Sequence, residues 1–201
     1  VELSSPVAYG PRHALVVVDV QNDFADPAGS LSVAGAGDVV LHANREIARA
    51  RAGGAQVAYS RDWHPARTAH FAIDGGPWPV HCVAGSWGAR FHPRLVVLDD
   101  ALQIRKGANG EDGYSAFTMR DPATGADVPT PLTAALRRRG VEHVVVIGLA
   151  TDYCVRATAL DSVRAGFPTT VVRAAVAAVD VEPGDGDRAL AELAEAGVVL
   201  A

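Results

Sequence analysis

Cysteine is scarce in this chain: two residues in 201, Cys82 and Cys154. Two thiols make no disulfide scaffold of the kind that holds small secreted domains together. Charge of one sign does not dominate either. The 18 Lys and Arg stand against 23 Asp and Glu, a net charge of −5 with no basic stripe, which argues against nucleic acid or an anionic membrane surface as a partner. No apolar run approaches the ~20 residues needed to span a bilayer. Internal repeats and low-complexity tracts are missing too. Residues 1–6 carry neither a basic nor an apolar region, so no signal peptide is legible, although a mature chain with its signal removed would look the same. These absences lead to the expectation of a cytoplasmic protein that meets a small molecule, with no nucleic acid and no membrane. They leave open whether it forms a homo-oligomer.

What is present is the composition of an ordinary globule, 49% apolar and 20% charged, in a chain long enough for a full-sized core. Residues 1–201 read as a single domain, with 1–12 as an N-terminal extension. Short apolar, β-branched runs alternate with segments of helical spacing. Residues 14–18 (Ala-Leu-Val-Val-Val) suit a strand buried on both faces. Val39, Val40, Ala43, Ile47 and Ala50 recur at helical spacing over 38–52, and Gly53-Gly54 ends that helix. Further strands are expected at 55–60, 102–106, 143–147, 168–172 and 198–200. Helices are expected from Thr130-Pro131 to Arg139, from Asp152 as N-cap to Gly166, and over 188–196. Strands alternating with helices imply a parallel sheet covered on both faces, an α/β/α three-layer fold. Two long irregular stretches, 61–94 and 107–129, follow strand ends, where open α/β sheets bind ligands.

Three of those strand ends carry chemistry. Asp19 follows the first strand, Lys106 ends the third, and Cys154 opens the helix after the fourth. A thiol at a helix start is favoured as thiolate by the free N–H groups there. Taken singly, Asp19 reads as a turn former, Lys106 as a solvated strand end and Cys154 as a small buried apolar residue. If the first and fourth strands flank the topological switch point, the three side chains converge in one crevice. Asp19 would then take the thiol proton and return it to a leaving amine, with Lys106 balancing the charge.

The first long loop holds Asp62-Trp63-His64-Pro65, then His70, then Trp78-Pro79-Val80-His81-Cys82. Asp62 and His64, two apart in an extended segment, face the same way. With His81 they make a carboxylate and two imidazoles, which suits Zn²⁺ first, with Fe²⁺ or Mn²⁺ as alternatives. His70 stands as a further ligand, a hydrogen-bonding neighbour or a loop residue only. Cys82 reads as a buried structural thiol rather than a ligand, and His13, His42, His92 and His143 sit beside no such cluster. Phe24, Trp78 and Tyr114 flank the polar groups, either as walls of a pocket for a flat ring or as plain core.

At this point the chain resembles the cysteine-hydrolase superfamily of nicotinamidases, isochorismatases and related amidases, over about residues 14–199. Asp19-Val20-Gln21-Asn22-Asp23-Phe24 looks like that family's first motif, Lys106-Gly107 its lysine motif, and Ala150-Thr151-Asp152-Tyr153-Cys154-Val155 its nucleophile motif. The Asp62, His64 and His81 set resembles the nicotinamidase branch. The resemblance implies a sheet in the order 3-2-1-4-5-6 and a cis peptide between Leu149 and Ala150. It implies a catalytic triad of Asp19, Lys106 and Cys154, an oxyanion hole from the N–H groups of Ala150 and Cys154, and one divalent metal. It also implies hydrolysis of nicotinamide to nicotinate and ammonia through a thioester, in a pocket lined by Phe24, Trp78, Tyr114 and Leu149. Competing readings are a family amidase acting on another small amide or carbamoyl compound, a redox-regulatory thiol protein built on Cys154, and a non-catalytic metal-binding module.

Overall fold

The computed structural model describes residues 7–201; residues 1–6, the start of the expected N-terminal extension, lie outside the described residues. Along the chain run β1 (His13–Val18), a single-turn helix α1 (Asn22–Ala25), α2 (Ala36–Ala52), β2 (Gln56–Asp62) and β3 (Leu102–Lys106). A hairpin of β4 (Thr118–Arg120) and β5 (Asp127–Pro129) comes next, then α3 (Leu132–Arg138) and β6 (His143–Leu149). A π-helical turn over Thr151–Val155 leads into α4 (Arg156–Arg164), followed by β7 (Thr169–Ala177), α5 (Asp185–Glu195) and β8 (Val199–Leu200).

Six strands form one parallel sheet in the order β3-β2-β1-β6-β7-β8. This is the expected 3-2-1-4-5-6 order once the hairpin β4–β5, which pairs only with itself, is set aside. The continuous apolar runs exist because both faces of the sheet are covered. Leu15 and Val17 of β1 point into a core shared with α2 (Val39, Val40, Ala43, Ile47), while Ala14, Val16 and Val18 point into the opposite core with α3, α4 and α5 (Leu136, Ala159, Leu193). The period-2 alternation of one strand thus serves two helical layers. Among the described residues, no helix is long and apolar enough to cross a membrane.

Several boundaries differ from the periodicity. The helix expected from Asp38 begins at Ala36, behind Gly35 at φ 80°. The helix expected from 188 begins at Asp185, and the strand expected over 168–172 runs to Ala177. The hairpin inside 107–129 has no apolar alternation to announce it; Asp127, Val128 and Pro129 are all exposed. Asp152 is not an N-cap. Ala150 precedes the first turn in extended conformation, and the Asp152 carboxylate instead accepts the N–H groups of Val179 (3.0 Å) and Asp180 (2.9 Å). A tertiary pair of donors has displaced the local cap.

β1 and β6 meet at the switch point, and they meet closely. A Cβ on Gly148 would lie 2.1 Å from the Val18 carbonyl oxygen, and Gly148 sits at φ 115°, where the β6–β7 register shifts. Only glycine combines that backbone with that approach. The substitution Gly148→Ala is therefore expected to cost at least about 3 kcal/mol of unfolding free energy from overpacking and backbone strain together. Urea denaturation measures it, and a loss below about 1 kcal/mol would contradict the close contact.

Candidate active site

The carboxyl ends of β1, β2, β3 and β6 converge. Asp19 leaves β1 at φ 49°, a left-handed conformation that Asp tolerates better than most side chains. Its buried carboxylate accepts a hydrogen bond from Ser60 Oγ (2.8 Å) and lies 2.6 Å from Lys106 Nζ. The ammonium of Lys106, itself fully buried, also contacts Asp62 Oδ1 (2.8 Å), the Tyr114 carbonyl (3.0 Å) and Cys154 Sγ (3.2 Å). The fold thus brings Asp19, Lys106 and Cys154 into one cluster and adds Asp62 to it.

Charge in this cluster is governed by burial and by Lys106. Burial disfavours the ammonium, but Asp19 and Asp62 hold it well above the ordinary lysine range. Burial likewise works against the Asp62 anion; Lys106 and the neighbouring His64 and His81 outweigh it and hold this carboxyl well below its usual range. Asp19 goes the other way, because burial pushes it up further than Lys106 pulls it down. Burial also pushes the Cys154 thiol well up, with Asp19 and Asp62 adding to the effect and Lys106 opposing it. Burial and the two nearby carboxylates thus act on the thiol against the helix start, which by itself favours the anion. A buried thiol is also the wrong environment for a redox-sensing cysteine, which is exposed.

The peptide between Leu149 and Ala150 is cis, as the resemblance implies. Beyond it, the π-helical register departs from the usual i−4 bonding. The Ala150 carbonyl accepts from Tyr153 (3.1 Å) and Val155 (3.0 Å), passing over the N–H of Cys154. The Ala150 N–H has no acceptor among the described residues. The free Ala150 N–H belongs to a residue that shares the pocket wall with Cys154.

The histidines form a second cluster against the first. One ring nitrogen each of His64, His70 and His81 lies within 4.8 Å of the others, and all three rings are buried. Asp62 Oδ2 stands 3.6 Å from His64 Nε2 and 3.8 Å from His81 Nε2. Asp62, His64 and His81 are thus neighbours as expected, and His70 joins the imidazole group. The donor set fits a divalent metal on structural grounds. Nδ1 of His81 lies 2.7 Å from the Pro79 carbonyl and Nδ1 of His70 lies 2.9 Å from Asp112 Oδ1, which leaves both Nε2 atoms bare. Both ring nitrogens of His64 are buried without a hydrogen-bond partner. An orphaned imidazole is costly unless something else takes its lone pair. Gly107, at φ 76°, admits this ring: a Cβ there would lie 2.5 Å from His64 Nδ1.

A cavity joins the two clusters. Cys154, Asp62, His70 and His81 are in its wall with Phe24, Trp78, Tyr114, Leu149 and Ala150, so each residue expected to touch a flat ring reaches the same space. Trp78 Nε1 donates to the Tyr114 hydroxyl (3.0 Å), and the Trp78 ring packs edge-on against Tyr153, centroids 4.8 Å apart.

Some residues of the site were not singled out from the sequence. The Gln21 carboxamide accepts the Asp62 N–H (2.7 Å) and donates to the Asp62 carbonyl (2.8 Å), acting as a ladder partner where β1 has ended. Asp23 accepts the Cys82 N–H (2.6 Å) and fixes the turn after His81, leaving Cys82 as the buried structural thiol expected. Gln21 and Asp23 directly follow the first strand's Asp19, and buried polar residues there were the available signal. Ser60 and Asp112 offered none.

The match to known proteins follows this geometry. The family model described as "Isochorismatase domain" matches residues 13–201. The chain belongs to the isochorismatase family. It is 37% identical to the nicotinamidase of Escherichia coli over 206 residues, covering 94% of each chain. Among solved structures, the pyrazinamidase of Pyrococcus horikoshii in complex with zinc superposes with a TM-score of 0.84 at 38% identity, over 95% of this chain and 99% of that one. PnC1 from L. infantum, in complex with nicotinate, gives a TM-score of 0.87 at 36% identity over 97% and 95%. The chain is accordingly an isochorismatase-family amidohydrolase.

The buried Lys106 sets a testable charge balance. Its raised pKa contributes stability that is complete below the unfolded lysine value and lost only as pH rises through the folded one. The depressed Asp62 contributes above the unfolded carboxyl value and loses this as pH falls through the folded one, whereas the raised Asp19 favours the fold at low pH and opposes it above its folded pKa. Lys106→Met leaves two buried carboxylates without a cation, so it is expected to lose about 3–5 kcal/mol in chelator-treated protein near pH 7.5. The deficit should shrink on acidification, by about 1.4 kcal/mol per pH unit over which a carboxylate takes up its proton. Urea denaturation at pH 7.5 and 5 measures both values. Equal deficits at the two pH values would show that the lysine serves packing and not charge.

Proposed function

We propose that this protein is a metal-dependent nicotinamidase, hydrolysing nicotinamide to nicotinate and ammonia. The observation that carries this reading is the shared Asp62. One of its oxygens touches Lys106 of the thiol cluster and the other faces His64 and His81, so a nucleophile and a metal-type donor set address one small cavity from two sides. A ring bearing a nitrogen and, two ring positions away, a carboxamide suits both ends. The relatives described above, one of them bound to nicotinate and one to zinc, support it.

Cys154 passes its proton to Asp19, and the sulfur attacks the carboxamide carbon. The charge that develops on oxygen faces the N–H groups of Ala150 and Cys154, and losing one such donor typically costs about 10²–10³ in rate. Asp19 then protonates the nitrogen, the C–N bond breaks and ammonia departs, leaving a thioester on Cys154. Asp19 next takes a proton from water as the oxygen adds to the thioester carbon; the C–S bond breaks, nicotinate forms and the proton returns to sulfur. Lys106 keeps its charge throughout and balances whichever of Asp19 and Cys154 is ionised. Phe24, Trp78, Tyr114 and Leu149 hold the ring. His64, His70 and His81, with Asp62, would hold the metal, which when bound supplies a Lewis-acid contact for the pyridine nitrogen.

Ammonia release from nicotinamide tests the reading. Cys154→Ala should lose on the order of 10³-fold or more in kcat while circular dichroism stays unchanged. Chelation should abolish the wild-type reaction and added Zn²⁺ should restore it. Reduced, zinc-loaded wild-type protein that releases no ammonia from nicotinamide would sink the proposal, and release from another small amide alone would move the substrate within the family.

A further inference from the structure

The loop after β3 reaches back to the histidine cluster. Asp112 belongs to that loop, His70 to the one after β2, and the two meet at 2.9 Å between Oδ1 and Nδ1. Asp112 is held from below: its backbone exchanges hydrogen bonds with Arg120 at the end of β4 (2.9 and 2.5 Å), and Oδ1 also accepts the Gly113 N–H (2.8 Å). Two residues on, Tyr114 offers its carbonyl to Lys106 (3.0 Å), its hydroxyl to Trp78 (3.0 Å) and its ring to His70, centroids 5.9 Å apart. One short stretch therefore touches the metal-type cluster, the thiol cluster and the ring-binding wall.

The side chain of Asp112 is 54% exposed while that of His70 is 5% exposed. A contact between a half-exposed carboxylate and an imidazole adds little to stability by itself, since water competes for the acid. Its effect on the buried ring is different. A carboxylate at Nδ1 keeps the hydrogen there, fixes the plane of the imidazole and presents the bare Nε2 inward.

We propose that Asp112 is a positioning residue that sets His70 for the metal and, through the loop it shares with Tyr114, ties closure of the pocket wall to metal occupancy. The inference rests on the reading of His64, His70 and His81 as metal-holding residues. A metal on His70 makes the imidazole N–H a stronger donor to Asp112 and so holds residues 107–120 in place. By reciprocity, a loop already held raises metal affinity by the same factor. No residue of the triad is needed for this effect.

Zn²⁺ affinity, measured by competition with a chromophoric chelator, and hydrogen exchange of the 107–120 segment with and without Zn²⁺ test it together. Wild-type protein should bind Zn²⁺ and exchange more slowly in this segment when loaded. Asp112→Ala should bind Zn²⁺ about 10–100-fold more weakly and lose the zinc-dependent protection. Asp112→Asn keeps the Oδ1 acceptor and should recover most of both, which a loss of general loop stability would not predict. If Asp112→Ala matches wild type in affinity and protection, the positioning role is overturned while the metal reading stands. If wild-type protein itself takes up no Zn²⁺, the metal reading falls and the inference with it.

Discussion

Everything at the site depends on one buried ammonium. Lys106 Nζ lies within 3.2 Å of two carboxylates, a carbonyl and a thiol, contributed by the ends of β1, β2 and β6 and by the loop after β3. An ammonium brought out of water alone would cost several kcal/mol, and two neighbouring buried carboxylates would cost more. Each makes the other tolerable. The consequence is that four strand ends cannot move apart without uncovering a charge, which holds the sulfur, its proton acceptor and the metal-type donors at fixed separations.

The same cluster explains why neighbouring carboxylates differ. Asp62 has Lys106 on one oxygen and two imidazoles on the other, and it stays ionised far below the usual range. Asp19 has Lys106 and a hydroxyl, too little to offset its desolvation, so its affinity for a proton rises. Two carboxyl groups set apart in this way are suited to different work: a fixed anion on the histidine side and a group able to take a proton on the sulfur side. Cys154 lies on the same ammonium, with burial and both carboxylates pushing its thiol up.

Much of this was legible before any fold was known. The apolar runs and their spacing carry the parallel sheet and both helical layers, because burial on two faces demands uninterrupted Val, Ile and Leu. Asp19, Lys106 and Cys154 stand out by falling at strand ends, where open sheets bind ligands, and the Asp62–His64 spacing and later His81 carry the metal side. The hairpin over Thr118–Arg120 and Asp127–Pro129 was not legible, since its strands are short and solvated and lack alternation. Nor was the fate of Asp152, whose local preference for capping lost to the Val179 and Asp180 N–H groups brought up by the fold.

The sequence by itself determined which residue types are available and at which ends of which strands, because local periodicity and turn chemistry act over a few residues. It also marked glycine at 107 and 148, though not why. Only the tertiary structure decided how those residues are charged and what they face. The upward shifts of Cys154 and Asp19, the Lys106 contact that lowers Asp62, the His70–Asp112 pair and the ladder contacts of Gln21 all arise between segments some 40 or more residues apart in the chain. Desolvation and Coulomb interaction depend on distance in space, which chain spacing alone does not supply.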